Sequence, residues 1–300
     1  MEKDNALTFC VLVTYNPDFS QLEKTLSSLL PQVDCIVIVK NSPESLDVDD
    51  AMSKKIHLIQ LEKNMGIAYA QNRGIEYALA CGADFVLFSD QDTVYPADFT
   101  AKSLACWGRH EDERVAAVVP LFYNENKHQL AAVSVTKTKA VAPDTSGDML
   151  LAHAISSGTV AAASALREVG MMNERLFIDW VDAEWCWRAA KAGFGIICDT
   201  ANVIHHSMGD HFKTVLGRKI VVYSDFRNYF FLRNGFYLLF HSHLFRKGEA
   251  GEWFGFFRFM AAKSILFFMT GGFSVSRIRL FVRAVGKGLT NHFSLEEELK

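Results

Sequence analysis

The sequence predicts an α/β fold, a mostly parallel sheet flanked by helices, followed by a C-terminal region of helical, aromatic and basic character. Three observations carry this expectation. β-prone apolar runs alternate with segments of helical period through residues 7–89. Their spacing suits parallel crossovers with helices on both faces of a sheet. Each run ends in polar residues, namely Thr14-Tyr15-Asn16, Asn41-Ser42, Asn64 and Asp90, and the carboxyl ends of parallel strands are where such folds place a ligand crevice.

Taken in order, Leu7–Thr14 is a β-branched strand that Tyr15-Asn16-Pro17 ends. Leu22, Leu26, Leu29 and Leu30 then share one helix face until Pro31 stops it. Val33–Val39 and Ile56–Leu61 are strands, Ile67–Ala80 is a helix with Ala70, Ile75, Ala78 and Leu79 inward, and Ala83–Ser89 is the fourth strand. From Lys102 to Ala152 the pattern thins, leaving strands at Val115–Val119 and Ala131–Val135 and loops at 124–128 and 143–147. Such a loop either closes over a ligand or simply connects. Ser164–Gly170 reads as a short helix, Glu184 and Arg188 lie on another, and Phe194–Cys198 and Asn202–His205 are short strands.

Half of the 300 residues are hydrophobic, enough for a large core. The cysteines Cys10, Cys35, Cys81, Cys106, Cys186 and Cys198 are scattered without close pairs, which fits reduced cytosolic thiols better than disulfides or a zinc site. Met1-Glu2-Lys3-Asp4-Asn5 has no basic-then-apolar pattern of a secretory signal. A net charge of -3 conceals an asymmetry: residues 212–300 hold fourteen Lys/Arg against six Asp/Glu. The expected division is therefore a catalytic domain over 1–211 and an amphipathic helical region over 212–300.

Two stretches carry chemistry. In Phe85-Val86-Leu87-Phe88-Ser89-Asp90-Gln91-Asp92 an apolar run ends in two carboxylates. Residues i and i+2 of an extended segment point the same way, so Asp90 and Asp92 suit one hard cation holding a diphosphate; a polar turn ending the strand explains the same residues. In Phe177–Arg188, Glu184 and Arg188 are i,i+4 neighbours and read as a surface ion pair. That leaves Asp179 and Asp182 unexplained among Phe177, Ile178, Trp180, Val181, Trp185 and Trp187, where unpaired carboxylates are costly. His205 and His206 offer either a metal-ligating imidazole or an ordinary hydrogen-bonded one. A dehydrogenase is disfavoured, because no glycine fingerprint follows the first strand.

Val13-Thr14-Tyr15-Asn16-Pro17, Asn64-Met65-Gly66-Ile67-Ala68 with Asn72-Arg73-Gly74-Ile75, Asp90-Gln91-Asp92 and Phe177–Arg188, in this order and spacing, resemble glycosyltransferase family 2, specifically its rhamnosyltransferase-like branch, over residues 7–235. The resemblance implies a GT-A nucleotide-diphospho-sugar transferase fold, an activated sugar donor, Mg²⁺ or Mn²⁺, and inversion at the anomeric carbon. Donor contacts then fall to Thr14, Tyr15, Asn16, Asn41, Gly66, Asn72, Arg73, Asp90 and Gln91. Ser157 and Gly158 correspond to a turn beside the transferred sugar. The metal ligands become Asp90, Asp92 and His206, with His205 as backup. The base falls at Asp182, and Trp180, Glu184 and Trp185 lie on the acceptor side. Where the family often has an acidic residue after the second strand, this chain has Lys40, read as a solvated strand end.

Arg227-Asn228-Tyr229-Phe230-Phe231-Leu232-Arg233-Asn234 resembles the branch's closing motif, with Tyr223, Asp225 and Phe230 departing from it; Arg227 or Arg233 is expected at the donor phosphates. Beyond it the chain is rich in Phe, and Arg258 and Lys263 interrupt its longest apolar run, short of the ~20 residues of a spanning helix. Helices lying in a membrane interface, helices packing on the catalytic domain, or a homodimer contact all fit. The expectation is thus an inverting, metal-dependent glycosyltransferase, cytoplasmic and peripheral at the inner face of the membrane. It moves a sugar, L-rhamnose from dTDP-rhamnose by resemblance, onto a cell-surface polysaccharide or lipid-linked saccharide, and no nucleic acid is involved. A UDP-hexose donor, or a non-catalytic nucleotide-sugar or polysaccharide binding module, are the alternatives; metal-dependent nucleotide release separates enzyme from module.

Overall fold

In the computed structural model the described residues are 6–43, 53–125, 128–206, 212–215, 218–245 and 250–293. They form two compact units, one of residues 1–174 with 182–206, the other of 175–181 with 207–300. The expected single cut at residue 211 therefore differs in two respects: the units part after residue 206, and the seven residues 175–181 group with the C-terminal unit.

The first unit begins with β1 (Thr8–Thr14), α1 (Phe19–Leu29), β2 (Cys35–Lys40), β3 (Ile56–Gln60), α2 (Ile67–Ala80) and β4 (Phe85–Ser89), close to the elements the sequence predicts. Asp18 starts α1 by accepting the Ser20 and Gln21 amides at 2.9 and 3.3 Å, satisfying two of the helix's orphan donors. There follow α3 (Phe99–Arg109), β5 (Val115–Asn124), β6 (Gln129–Leu130), β7 (Val133–Ser134), β8 (Ala140–Val141), β9 (Met149–Leu151), β10 (Val160–Ala162), α4 (Ala163–Val169), α5 (Val181–Lys191) and β11 (Gly195–His206).

The main sheet runs β3-β2-β1-β4-β10-β5-β11-β9. Its first half is parallel, with β1 paired to β2 and β4, and β2 to β3. Its second half is mixed, because β10 runs antiparallel to both β4 and β5 while β11 lies parallel to β5 and antiparallel to β9. The two strands expected at Phe194–Cys198 and Asn202–His205 are one strand, β11, interrupted by a register shift between Asp199 and Val203. Strand alternation sorts the core: Cys10 and Leu12 join Leu22, Leu26 and Leu29 of α1 and Phe99 of α3 in one buried cluster. Val11 points to the opposite face, where α2 approaches through Gly74.

The second unit comprises β12 (Phe212–Val215), β13 (Arg218–Val221), α6 (Asp225–His241), α7 (Ala250–Gly271) and α8 (Val275–Thr290). Against the expected shortfall, α7 at 22 residues is long and apolar enough, by length and composition, to cross a membrane. β12 and β13 form a separate antiparallel pair.

A Cβ at Gly74 would sit 2.4 Å from Val11 Cγ1. Gly74→Ala is therefore expected to destabilise the protein by about 1–3 kcal/mol through overpacking, despite alanine's better helix propensity. Urea unfolding checks this, and an unchanged midpoint would mean that α2 stands further from β1.

Candidate active site

Strand ends supply the first wall. Thr14 is buried, Tyr15 is exposed, and Asn16 takes a left-handed φ of 45° as the chain leaves β1. Gln91 staples this corner to the acidic loop: its Oε1 accepts the Tyr15 amide at 2.8 Å and its Nε2 donates to the Tyr15 carbonyl at 3.3 Å. β4 ends at Ser89, so the expected two carboxylates along an extended strand become Asp90 just past the strand end and Asp92 in the turn that follows. Beneath it, buried hydroxyls pair off, Tyr95 Oη donating to Ser89 Oγ at 3.0 Å and Thr93 Oγ1 meeting Ser157 Oγ at 3.0 Å. Burial pushes the Tyr95 phenol up, so it stays neutral.

The turn Ser156–Gly158 brings the second motif to this place. Gly158 donates its amide to the Phe88 carbonyl at 2.8 Å, and the Phe88 amide donates to the Thr159 carbonyl at 2.9 Å. Gly158 has φ +73°, and a Cβ there would lie 2.9 Å from Pro120, so only glycine fits. The Asp182 carboxylate accepts the Ser156 amide at 3.1 Å. Asp182 thus sits in the first turn of α5, tied to a loop that is itself bonded to the strand ending in Ser89-Asp90.

Several polar side chains near the site are bonded within the protein itself. Lys40 is buried rather than solvated, because Gln60 offers its Oε1 at 2.6 Å across the β2–β3 pair. Asn41 is buried and spent on the next loop, donating to Asn64 Oδ1 at 3.0 Å and accepting the Met65 amide at 2.7 Å; this shapes the entry to Gly66 (φ 85°). Asn72 clamps Met172 through both its backbone groups, at 2.9 and 3.0 Å, while Arg73 pairs with Glu76 and Glu174. Glu184 and Arg188 are not a surface pair. Glu184 is buried against Arg188 Nε at 2.9 Å, and that guanidinium also donates to the Val169, Gly170 and Met171 carbonyls. Trp185 is buried with its indole N–H on the Gly170 carbonyl at 2.9 Å. Glu184, Trp185 and Asn72 thus each hold a backbone or ion-pair partner within the protein, and the acceptor-side and donor expectations for them stand as proposals.

Within the second unit, Arg233 is fully buried and donates to the Arg175 and Leu176 carbonyls at 2.9 and 3.0 Å. Asn234 donates to the carbonyls of Leu176, Ile178 and Asp179. Together they hold a turn in which Phe177, Asp179 and Trp180 all take φ of 63–68°, a conformation costly for non-glycine residues unless the surroundings over-determine it. Arg227 pairs with Asp179 at 2.6 Å, and Trp180 donates to the Phe231 carbonyl at 3.0 Å. The Asn234 clamp escaped sequence reasoning, although the Arg-Asn dipeptide of the closing motif was its signal.

Of the histidines, His205 is exposed and hydrogen-bonded to Glu125, while the side chain of His206 lies outside the described residues. A separate cluster brings Cys106, His110 and Asp148 ligand atoms within 4.8 Å of one another. Asp148 already accepts two Arg109 bonds at 2.9 Å, so its charge is met by a cation of the chain itself.

A parallel β-α-β half ending in an acidic turn, joined through an antiparallel strand to a helix bearing a carboxylate, defines a GT-A glycosyltransferase. The chain belongs to glycosyl transferase family 2, whose description matches residues 9–169. It is 35% identical over 249 residues to the dTDP-rhamnosyl transferase RfbF of Shigella flexneri, covering 80% of this chain and 82% of the relative. Among solved structures it is similar to S. aureus TarS 1-349, with TM-score 0.63 and 15% identity over 94% of this chain and 80% of that one. It is also similar to GalNAc-T7 with UDP, GalNAc and Mn²⁺, with TM-score 0.56 and 13% identity over 97% of this chain and 58% of that one. At these identities the structural likeness is one of fold.

His153 precedes the Ser156 turn and accepts the Trp187 indole N–H on Nδ1 at 3.3 Å, and burial lowers its pKa from 6.5 to about 4. The unfolded chain therefore binds more protons between pH 4 and 6.5, so this contribution is full above 6.5 and is lost as pH falls through that window. The loss is expected to reach ~3 kcal/mol at most, measured as unfolding free energy against pH; His153→Gln is expected to flatten that slope, and an unchanged slope would mean that another group sets it.

Proposed function

We propose that this glycosyltransferase inverts the anomeric carbon of a nucleotide-diphospho-sugar, with L-rhamnose from dTDP-rhamnose the favoured donor, and transfers it to a cell-surface polysaccharide or a lipid-linked saccharide precursor. The choice of rhamnose is supported by the similarity to the Shigella flexneri dTDP-rhamnosyl transferase over most of both chains. The observation that carries inversion is the Asp182 carboxylate held on the Ser156 amide, on a turn bonded to the strand that ends in Asp90. One base and one diphosphate anchor in a single unit are the requirements of a direct displacement. The enzyme is assigned to the cytoplasmic face of the membrane, as a peripheral protein.

Thr14, Tyr15, Asn16 and Gly66 are assigned to the nucleotide, and Ser157 and Gly158 to the sugar; Gln91 fixes the corner between β1 and the acidic turn. Asp90 and Asp92 offer hard oxygen donors on an accessible turn, a set that suits Mg²⁺ or Mn²⁺, with His206 a further candidate. A divalent ion there would neutralise charge developing on the departing diphosphate. Asp182 accepts the proton of the acceptor hydroxyl as the new bond forms, and the Ser156 amide fixes the orientation of its carboxylate. Trp180 is assigned to the acceptor saccharide by its aromatic face.

Asp90→Ala or Asp92→Ala is expected to abolish transfer and to remove the Mg²⁺- or Mn²⁺-dependent part of nucleotide affinity, read by calorimetry with and without chelator. Full activity in either variant would exclude the site.

Asp182→Asn keeps size while removing the proton acceptor, so transfer is expected to fall by roughly 10²- to 10⁴-fold with donor affinity nearly unchanged. Asp179→Asn and Glu184→Gln serve as comparisons, being paired with Arg227 and Arg188. A near-native rate in Asp182→Asn with one of the others inactive would move the base.

A further inference from the structure

The second unit carries apolar surface that its own helices leave uncovered. α8 presents Val275, Ile278, Val282 and Leu289 on one helical face, each 42–66% exposed. That stripe faces solvent, the reverse of a helix packed into a core. Phe254, Ile265 and Met269 of α7 are exposed as well, on the helix face opposite Lys263, and Phe273 between the two helices is 78% exposed. Arg279 and Arg283, both exposed, border the α8 stripe. An apolar stripe along one helix face, flanked by cations, is the pattern of a helix lying in a bilayer interface.

A second observation lies between α6 and α7. A cavity of about 40 Å³ is lined by Tyr223, Asn228, Phe231, Lys263, Phe267 and Thr270, among others. The Lys263 ammonium stands 5.3 Å from the Phe259 ring centre and 5.8 Å from that of Phe231. Among the described residues no carboxylate pairs with it, since Asp179 is taken by Arg227 and Asp225 by Arg277. Burial lowers its pKa from the ordinary lysine value. A partly desolvated cation without an anion of its own chain is suited to one from outside. One water occupies on the order of 10–15 Å³ by this measure, so the cavity admits a phosphate-sized group and not a whole lipid.

We propose that α8 docks on a bilayer containing anionic phospholipid, with its apolar stripe seated among acyl chains and a lipid phosphate received at Lys263. The positive balance of residues 212–300 complements such a surface. This rests on the membrane-peripheral reading above and adds to it the surface, the lipid charge and the headgroup site.

Flotation of the full-length chain with vesicles of phosphatidylcholine alone, or mixed with phosphatidylglycerol, tests it. Binding is expected only to the mixed vesicles. The double variant Arg279→Gln/Arg283→Gln is expected to lose about 25-fold, roughly fivefold per charge, and Val282→Glu, at an exposed position, to lose binding altogether. Lys263→Met is expected to reduce the preference for phosphatidylglycerol, with the helical circular dichroism unchanged. Equal binding to phosphatidylcholine, or no binding to either, overturns the proposal. Displacement by inorganic phosphate would make the Lys263 cavity a soluble-anion site instead, and a Val282→Glu variant that dissociates a dimer would assign the stripe to a second copy. Donor hydrolysis in vesicle-free solution, measured on the same variants, reports the transferase separately: lost flotation with intact hydrolysis rejects only the docking surface.

Discussion

The antiparallel strand β10 sets the geometry on which the rest of the first unit depends. Val160 and Ala161 bond to β4 on one side and β5 on the other, closing a sheet whose neighbouring halves are parallel. Because β10 runs against β4, the chain must enter it at the carboxyl end of β4, where the acidic turn begins. The reciprocal bonds of Phe88 with Gly158 and Thr159 fix that entry, and the proximity of Pro120 leaves no room for a side chain at residue 158. The amide that receives Asp182 is therefore placed by sheet register, and not by a flexible loop.

Buried charged and amide side chains perform the remaining alignment. Arg188 gathers three successive backbone carbonyls at residues 169–171 while neutralised by Glu184, and Asn72 of α2 clamps Met172 next to them. α5 is thereby anchored to a turn that α2 also holds. In the second unit Arg233 and Asn234 do comparable work for the turn with left-handed Phe177, Asp179 and Trp180. Such groups are costly to bury and worth little as net stability, but once satisfied they admit one backbone geometry.

Long apolar strands were legible because burial on both faces writes itself as an uninterrupted run, so β1, β2 and β4 fall near their expected limits. α3 was not legible: its buried face is Phe99, Thr100, Ser103 and Cys106, too polar to show a helical apolar stripe. β10 is Val-Ala-Ala, without the β-branched density of a strand, and its existence is decided by the slot between β4 and β5. In the site, residue types announced the acidic turn and Asp182, whereas their surroundings stayed hidden. The i,i+4 spacing of Glu184 and Arg188 was visible, but their burial depends on carbonyls 17 to 19 residues away from Arg188. Lys40 looked solvated because its partner Gln60 stands on the neighbouring strand.

The proposed arrangement, with Asp182 as base opposite a diphosphate bound at Asp90 and Asp92, implies one displacement and hence one change of configuration at the anomeric carbon. The most direct test is nuclear magnetic resonance of the first product formed from a donor of known anomeric configuration, before any spontaneous equilibration. Asp182 acting as base requires the linkage in the product to have the opposite configuration to the donor. Retained configuration would require a covalent or internal-return step, and would contradict the assignment of Asp182 and of the turn that holds it.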